Sequence, residues 1–148
     1  MPAKTIYRPR AKDSYDFKCV ASIKQEWITA LESGKYKLGY GALHQDDMFC
    51  PLGVLADVVS KKFPKKVKVT KVGNRYLYDE CGLVLPTSIV HIAGLERADG
   101  GFVDRYTNYH LPENVELSLA TLWDHKLLRG VSDIVKLLKN NRIHMFVN

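Results

Sequence analysis

No run of apolar residues in this 148-residue chain approaches the roughly 18 needed to cross a bilayer. The opening Met-Pro-Ala-Lys-Thr-Ile-Tyr-Arg-Pro-Arg has charge but no apolar core of signal-peptide length, so a cytoplasmic protein is the expectation. Cysteine is scarce. Cys19, Cys50 and Cys81 make an odd number without a Cys-x-x-Cys pair, which argues against both a disulfide framework and a structural zinc site. Neither His-x-x-x-His nor His-Glu-x-x-His occurs, and the adjacent ligand types in His44-Gln45-Asp46-Asp47 and Asp124-His125 seldom converge on one ion. No metal and no cofactor is expected. Gly39-Tyr40-Gly41 is not followed by Lys-Ser or Lys-Thr, so it reads as a tight turn and not as a phosphate loop. Linkers and low-complexity segments are missing too, and a chain of this length buries roughly two thirds of its unfolded surface as one domain.

Acidic residues are missing from one stretch. Between Val58 and Tyr78 stand Lys61, Lys62, Lys65, Lys66, Lys68, Lys71 and Arg75 with no Asp or Glu, and without them the rest of the +6 chain is near neutral. A localised positive patch attracts phosphates, in a nucleotide or a nucleic acid, while the plainer alternative is a solvated face.

The punctuation predicts the elements. Residues 1–20 read as a polar arm. Ser22 and Gln25 have capping-box spacing, Ile23, Trp27, Ala30 and Leu31 share one helical face, and Gly34 suits a left-handed exit. A second helix from Pro51 to Lys62 has proline at its tolerated first position, two lysines in its last turn and Pro64 beyond. Its apolar residues on nearly every side place it mid-fold. Lys66–Val72 and Arg75–Asp79 flank Gly73-Asn74 as a hairpin, which pairs Val72 with Arg75 and puts Val67, Val69, Tyr76 and Tyr78 on the core side. Short helices follow from Thr87 to a stop at Gly94, around Ser118–Trp123 and through Val131–Leu138, with a strand fragment near Phe102 and another from Ile143 to Val147. Helices with few, mostly antiparallel strands imply an α+β single domain.

The residues that carry chemistry cluster in the loop between the first two helices. Lys35, Tyr36, Lys37, Tyr40 and His44 combine aromatic faces that stack on bases with cations that neutralise phosphate, and Arg75, Arg105 and Tyr106 are placed to complete such a pocket. The plainer alternative puts Tyr36 in the core and the lysines in water. Cys50 precedes a helix N-terminus, where the dipole favours a thiolate, and is the candidate nucleophile. No histidine stands in a motif beside it, and a small buried residue opening a buried helix is the stronger reading.

Trp27, Ala30, Leu31, Ser33, Gly34, Tyr36, Gly39, Gly41 and Leu43, then Phe49, Cys50, Leu52, Gly53, Val54, Leu55 and Asp57, resemble a family of small proteins encoded by bacteriophages and prophages. The chain departs from that pattern at Leu38, where glutamine is usual, at Pro51 and Ala56, where cysteines often occur, and at Trp123, in place of asparagine. The resemblance implies a phage origin. Through a looser link to anti-CBASS proteins it implies a homo-oligomeric sponge that sequesters a cyclic oligonucleotide, such as a cyclic dinucleotide, without cleaving it in the infected cell. Two other expectations stand beside it: a nucleic-acid-binding accessory protein using Lys61 to Arg75, and a hydrolase using Cys50.

Overall fold

The structure is a computed structural model that describes residues 17–102, 117–140 and 145–147, with only the backbone for 17–19. Helix α1 (Phe17–Glu32) begins ahead of the Ser22–Gln25 spacing, so the capping box does not form, and residues 17–20, expected to belong to the polar arm, are helical; residues 1–16 lie outside the described residues. Burial explains the difference. Val20, Ile23, Trp27 and Leu31 extend one buried stripe past Ser22, whose hydroxyl is exposed and bonds Glu26 one turn on at 3.3 Å. Packing of that stripe outweighs a local cap, because each large apolar side chain contributes roughly 1.5–3 kcal/mol on burial. Gly34 takes the left-handed exit at φ 74°.

Helix α2 (Pro51–Lys62) has the expected bounds, with Cys50 as its N-cap and Lys61 and Lys62 in the last turn. Nine of its twelve residues are buried, and it packs against α1, two later helices and the sheet. The Trp27 indole N–H donates to the Pro51 carbonyl at 3.0 Å and ties α1 to its first residue.

Between these helices the sequence suggested only a loop. The structure builds three two-residue strands there, β1 (Lys37–Leu38), β2 (His44–Gln45) and β3 (Met48–Phe49). They join the hairpin of β4 (Val69–Val72) and β5 (Arg75–Tyr78) in a five-stranded mixed sheet of order β1-β3-β2-β5-β4. The hairpin has the expected register, Val72 opposite Arg75 and Val69 opposite Tyr78, around Gly73 at φ 63°. Its first strand is shorter than predicted. Lys66 instead donates its backbone N–H to Phe63 at 2.9 Å in a turn leaving α2, and Asp79 falls in a left-handed turn at φ 46°.

Helix α3 (Thr87–Ala93) ends at Gly94 as expected, α4 (Leu119–Asp124) starts from a Ser118–Thr121 capping box, and α5 (Val131–Lys139) lays Ile134, Val135, Leu137 and Leu138 on the core. The predicted strand fragments reduce to single bridges, Gly101 with Ser118 and Leu95 with Phe146, while residues 143 and 144 lie outside the described residues. The whole is an α+β fold. Among the described residues no helix is long and apolar enough to cross a membrane.

Candidate functional site

The sheet turns one face toward α2, and a single row of side chains crosses that face. Leu38 pairs with Phe49, Phe49 with His44, and Tyr76 with Lys71, and the Gln45–Arg75 pair sets His44 beside Tyr76. The rings stack face to face. His44 lies 3.8 Å from Phe49 at 22° and 3.9 Å from Tyr76 at 7°, and the Lys71 ammonium caps the far face of Tyr76 at 5.4 Å. Tyr36 meets Phe49 edge-on at 5.0 Å, closing the other end.

Helix α2 lays a buried carboxylate against this row. Asp57 accepts from the Tyr36 hydroxyl at 2.5 Å and pairs with Lys61, one turn on, at 2.9 Å. His44 Nδ1 lies 3.3 Å from the Tyr78 hydroxyl. Burial, then the hydrogen bond and charge of Asp57, push the Tyr36 phenol well above its ordinary range, and burial does the same for Tyr78. Burial also holds the His44 imidazole below its ordinary value, against the opposing pull of Asp57. The cluster is therefore a neutral aromatic wall around one ion pair.

Cys50 caps helix α2. Its sulfur accepts the Gly53 N–H at 3.3 Å as a helix cap, and burial pushes the thiol up to about 11, more than offsetting the amides that stabilise the thiolate. Desolvation thus overrides the helix N-terminus. Among the described residues no group of three metal-ligating side chains converges.

The expected ligand residues are not brought together. Tyr36 and His44 line the inner wall, whereas Lys37 and Arg75 project from the outer face, where Lys37 faces Met48, Met48 faces Gln45 and Gln45 faces Arg75. Three strand spacings separate the two cations, about 14 Å. Lys37 stands 3.8 Å from Asp47, and Lys35 is exposed with its backbone N–H on the Ser33 hydroxyl. Tyr40 leaves the sheet and stacks on Trp123. Arg105 and Tyr106 lie outside the described residues.

The basic stretch is shaped instead. Lys61 and Lys62 are paired with Asp57 and Glu26, but Lys65, Lys66 and Lys68 rim a groove of about 470 Å³ between the end of α2 and β4, lined also by Ser60, Val67, Val69 and Asp79. Asp79 braces it. Its Oδ1 accepts the Lys68 N–H at 2.7 Å, its backbone N–H returns to the Lys68 carbonyl at 2.8 Å, and its Oδ2 accepts from the Ser88 hydroxyl. Val69 on the groove wall is one same-face step, about 7 Å, from Lys71, which covers Tyr76.

Residues 20–142 match a domain of unknown function, DUF8296. The chain belongs to the DUF8296 family. No curated protein and no solved structure matches it. The DUF8296 match takes in the aromatic row, the lysine groove and the Tyr40–Trp123 stack. Sequence reading missed Phe49, Asp57, Tyr76 and Tyr78 as members of this wall. The alternation of Tyr76 and Tyr78 was the available signal, but their partners come from strands too short to announce themselves.

Proposed function

We propose that this DUF8296 protein is a phage immune-evasion protein that binds and sequesters a cyclic oligonucleotide without cleaving it. The observation that carries the reading is the lysine-rimmed groove beside the Lys71-capped face of Tyr76. Its volume lies within the range of small-ligand sites, roughly 300–1,000 Å³. Lys65, Lys66 and Lys68 supply charge for phosphates, and Tyr76 offers a ring face once the flexible Lys71 moves from it to the ligand. Both carboxylate oxygens of Asp79 already accept hydrogen bonds, so it serves as a brace. The protonated, capping state of Cys50 favours binding over hydrolysis. Two protomers related by a two-fold axis would present paired grooves to a two-fold symmetric cyclic dinucleotide.

The test mixes purified protein with a panel of cyclic di- and trinucleotides, removes free ligand, denatures the protein and identifies what is released by liquid chromatography. Intact ligand in stoichiometric amount, lost on joint Lys65→Glu, Lys66→Glu and Lys68→Glu substitution, is the expected result. A linear product would instead mark a hydrolase. Binding only to duplex nucleic acid, falling steeply with salt, would make the basic stretch a nucleic-acid surface.

A further inference from the structure

A second half-exposed aromatic stack lies apart from the lysine groove. Tyr40 lies nearly parallel to Trp123, with ring centroids 4.9 Å apart at 13°. Trp123 is buried and fixed, its indole N–H donating to the Gly39 carbonyl at 2.8 Å. Tyr40 is 51% exposed, so one ring face rests on Trp123 and the other opens to solvent, with the Lys126 ammonium 5.7 Å from the ring centre. Gly41 beside it turns the chain at φ 92°, a left-handed position that favours glycine.

The backbone under Lys126 is the second observation, one that Asp46, Asp79 and Glu80 share in turns but that here closes a helix beneath a tyrosine ring. Helix α4 closes with the Lys126 N–H on the Trp123 carbonyl at 3.0 Å and the Leu127 N–H on the Leu122 carbonyl at 2.9 Å, and Lys126 sits between them at φ 59°. That left-handed position is the one glycine relaxes, because a Cβ is penalised there. The chain uses glycine in the same conformation at Gly34 after α1 and Gly94 after α3. At α4 it keeps a lysine, at a cost in stability, and the lysine stands over a tyrosine.

We infer that Trp123, Tyr40 and Lys126 form a platform for a flat ring that carries an anionic group, of the class of a nucleoside monophosphate. The base stacks on the open face of Tyr40 and extends the Trp123–Tyr40 stack by one ring. Lys126 moves off the ring to the phosphate, an exchange its long flexible stem allows. Ring and charge act together: stacking supplies the affinity, and the strained lysine selects the phosphorylated form. This goes beyond the sponge reading, since it concerns another surface and stands if the lysine groove binds nothing.

The experiment is titration calorimetry of the full chain with adenosine 5′-monophosphate, adenosine and ribose 5-phosphate, alongside thermal melts. The monophosphate is expected to bind saturably, adenosine at least five-fold more weakly, and ribose 5-phosphate not at all. Lys126→Gly is expected to melt at or above the wild-type temperature while binding the monophosphate no better than adenosine. Tyr40→Leu removes binding of both. The inference is overturned if the monophosphate does not bind, if ribose 5-phosphate binds equally, or if Lys126→Gly keeps full affinity. It also falls if Lys126→Gly melts below wild type, since the lysine is then there for the fold. Loss of monophosphate binding in the Lys65, Lys66 and Lys68 triple variant would assign it to the groove and overturn the platform.

Discussion

Gly53 stands against the backbone of Leu43 so closely that a Cβ on it would lie 1.7 Å from the Leu43 carbonyl oxygen. That oxygen already accepts the Cys50 N–H at 3.2 Å, so the loop is bound to the residue that caps α2. Neither backbone has room to give.

Gly53→Ala is accordingly expected to destabilise the protein severely. Overpacking a close-packed interior costs about 1–3 kcal/mol and sometimes more, and here the obstacle is backbone and not a side-chain tip. Urea denaturation should show either a large drop in midpoint or no cooperative transition. Gly34→Ala meets nothing within 4 Å and pays only for its φ of 74°, so it should cost far less.

Among the described residues, Tyr36 and Lys61 are the donors to the largely buried Asp57 carboxylate, and Tyr36→Phe leaves it Lys61, whose side chain is mostly in water. A buried acceptor deprived of a partner costs about 1–3 kcal/mol. The loss is read from urea melts, and an unchanged midpoint would show that Lys61 alone satisfies Asp57.

His44 gives the fold a dependence on acid. Burial lowers its pKa below the ordinary 6.5. As pH falls, the unfolded chain therefore binds the proton first, so the stability of the neutral stacked ring is present above about 6.5 and is lost as pH drops through the folded value. His44→Phe keeps a flat ring in the stack and removes the titration. Thermal melts from pH 7.5 to 5 should fall more steeply for wild type than for this variant, with Asp57 and Lys61 common to both.

Cys50 titrates in the opposite sense. A thiol raised from 9.0 to about 11 favours the fold below pH 9 and loses that contribution as the pH rises toward 11. Alkylation by iodoacetamide at pH 8 should be at least about ten-fold slower at Cys50 in native protein than in urea, because the thiolate is the reacting form. Cys50→Ala should retain any bound nucleotide and lose about 1 kcal/mol with the cap to Gly53.

Helix α2 was legible because Pro51, the apolar run, Lys61-Lys62 and Pro64 all mark the same bounds, and the Gly73-Asn74 turn set the hairpin register. The two-residue strands were not, since two residues make no period. That gap also misplaced the site. Lys35, Tyr36, Lys37, Tyr40 and His44 are close in sequence, but alternate residues of a strand face opposite ways, so Tyr36 goes inward and Lys37 outward. The pairing of Tyr40 with Trp123 crosses most of the chain and has no local signal. Ser22 shows the reverse error, a correct local motif overruled by an apolar stripe that continues past it.

The row Leu38–Phe49–His44–Tyr76–Lys71 takes one residue from each strand of the sheet. Strands of two residues hold too few ladder bonds to define their own alignment, and a slip by one position would turn the ring-bearing side outward. The stacked rings thus act as a vernier across the middle of the sheet: only one alignment of β3, β2 and β5 brings them face to face, and any other exposes aromatic surface that the native pairing hides.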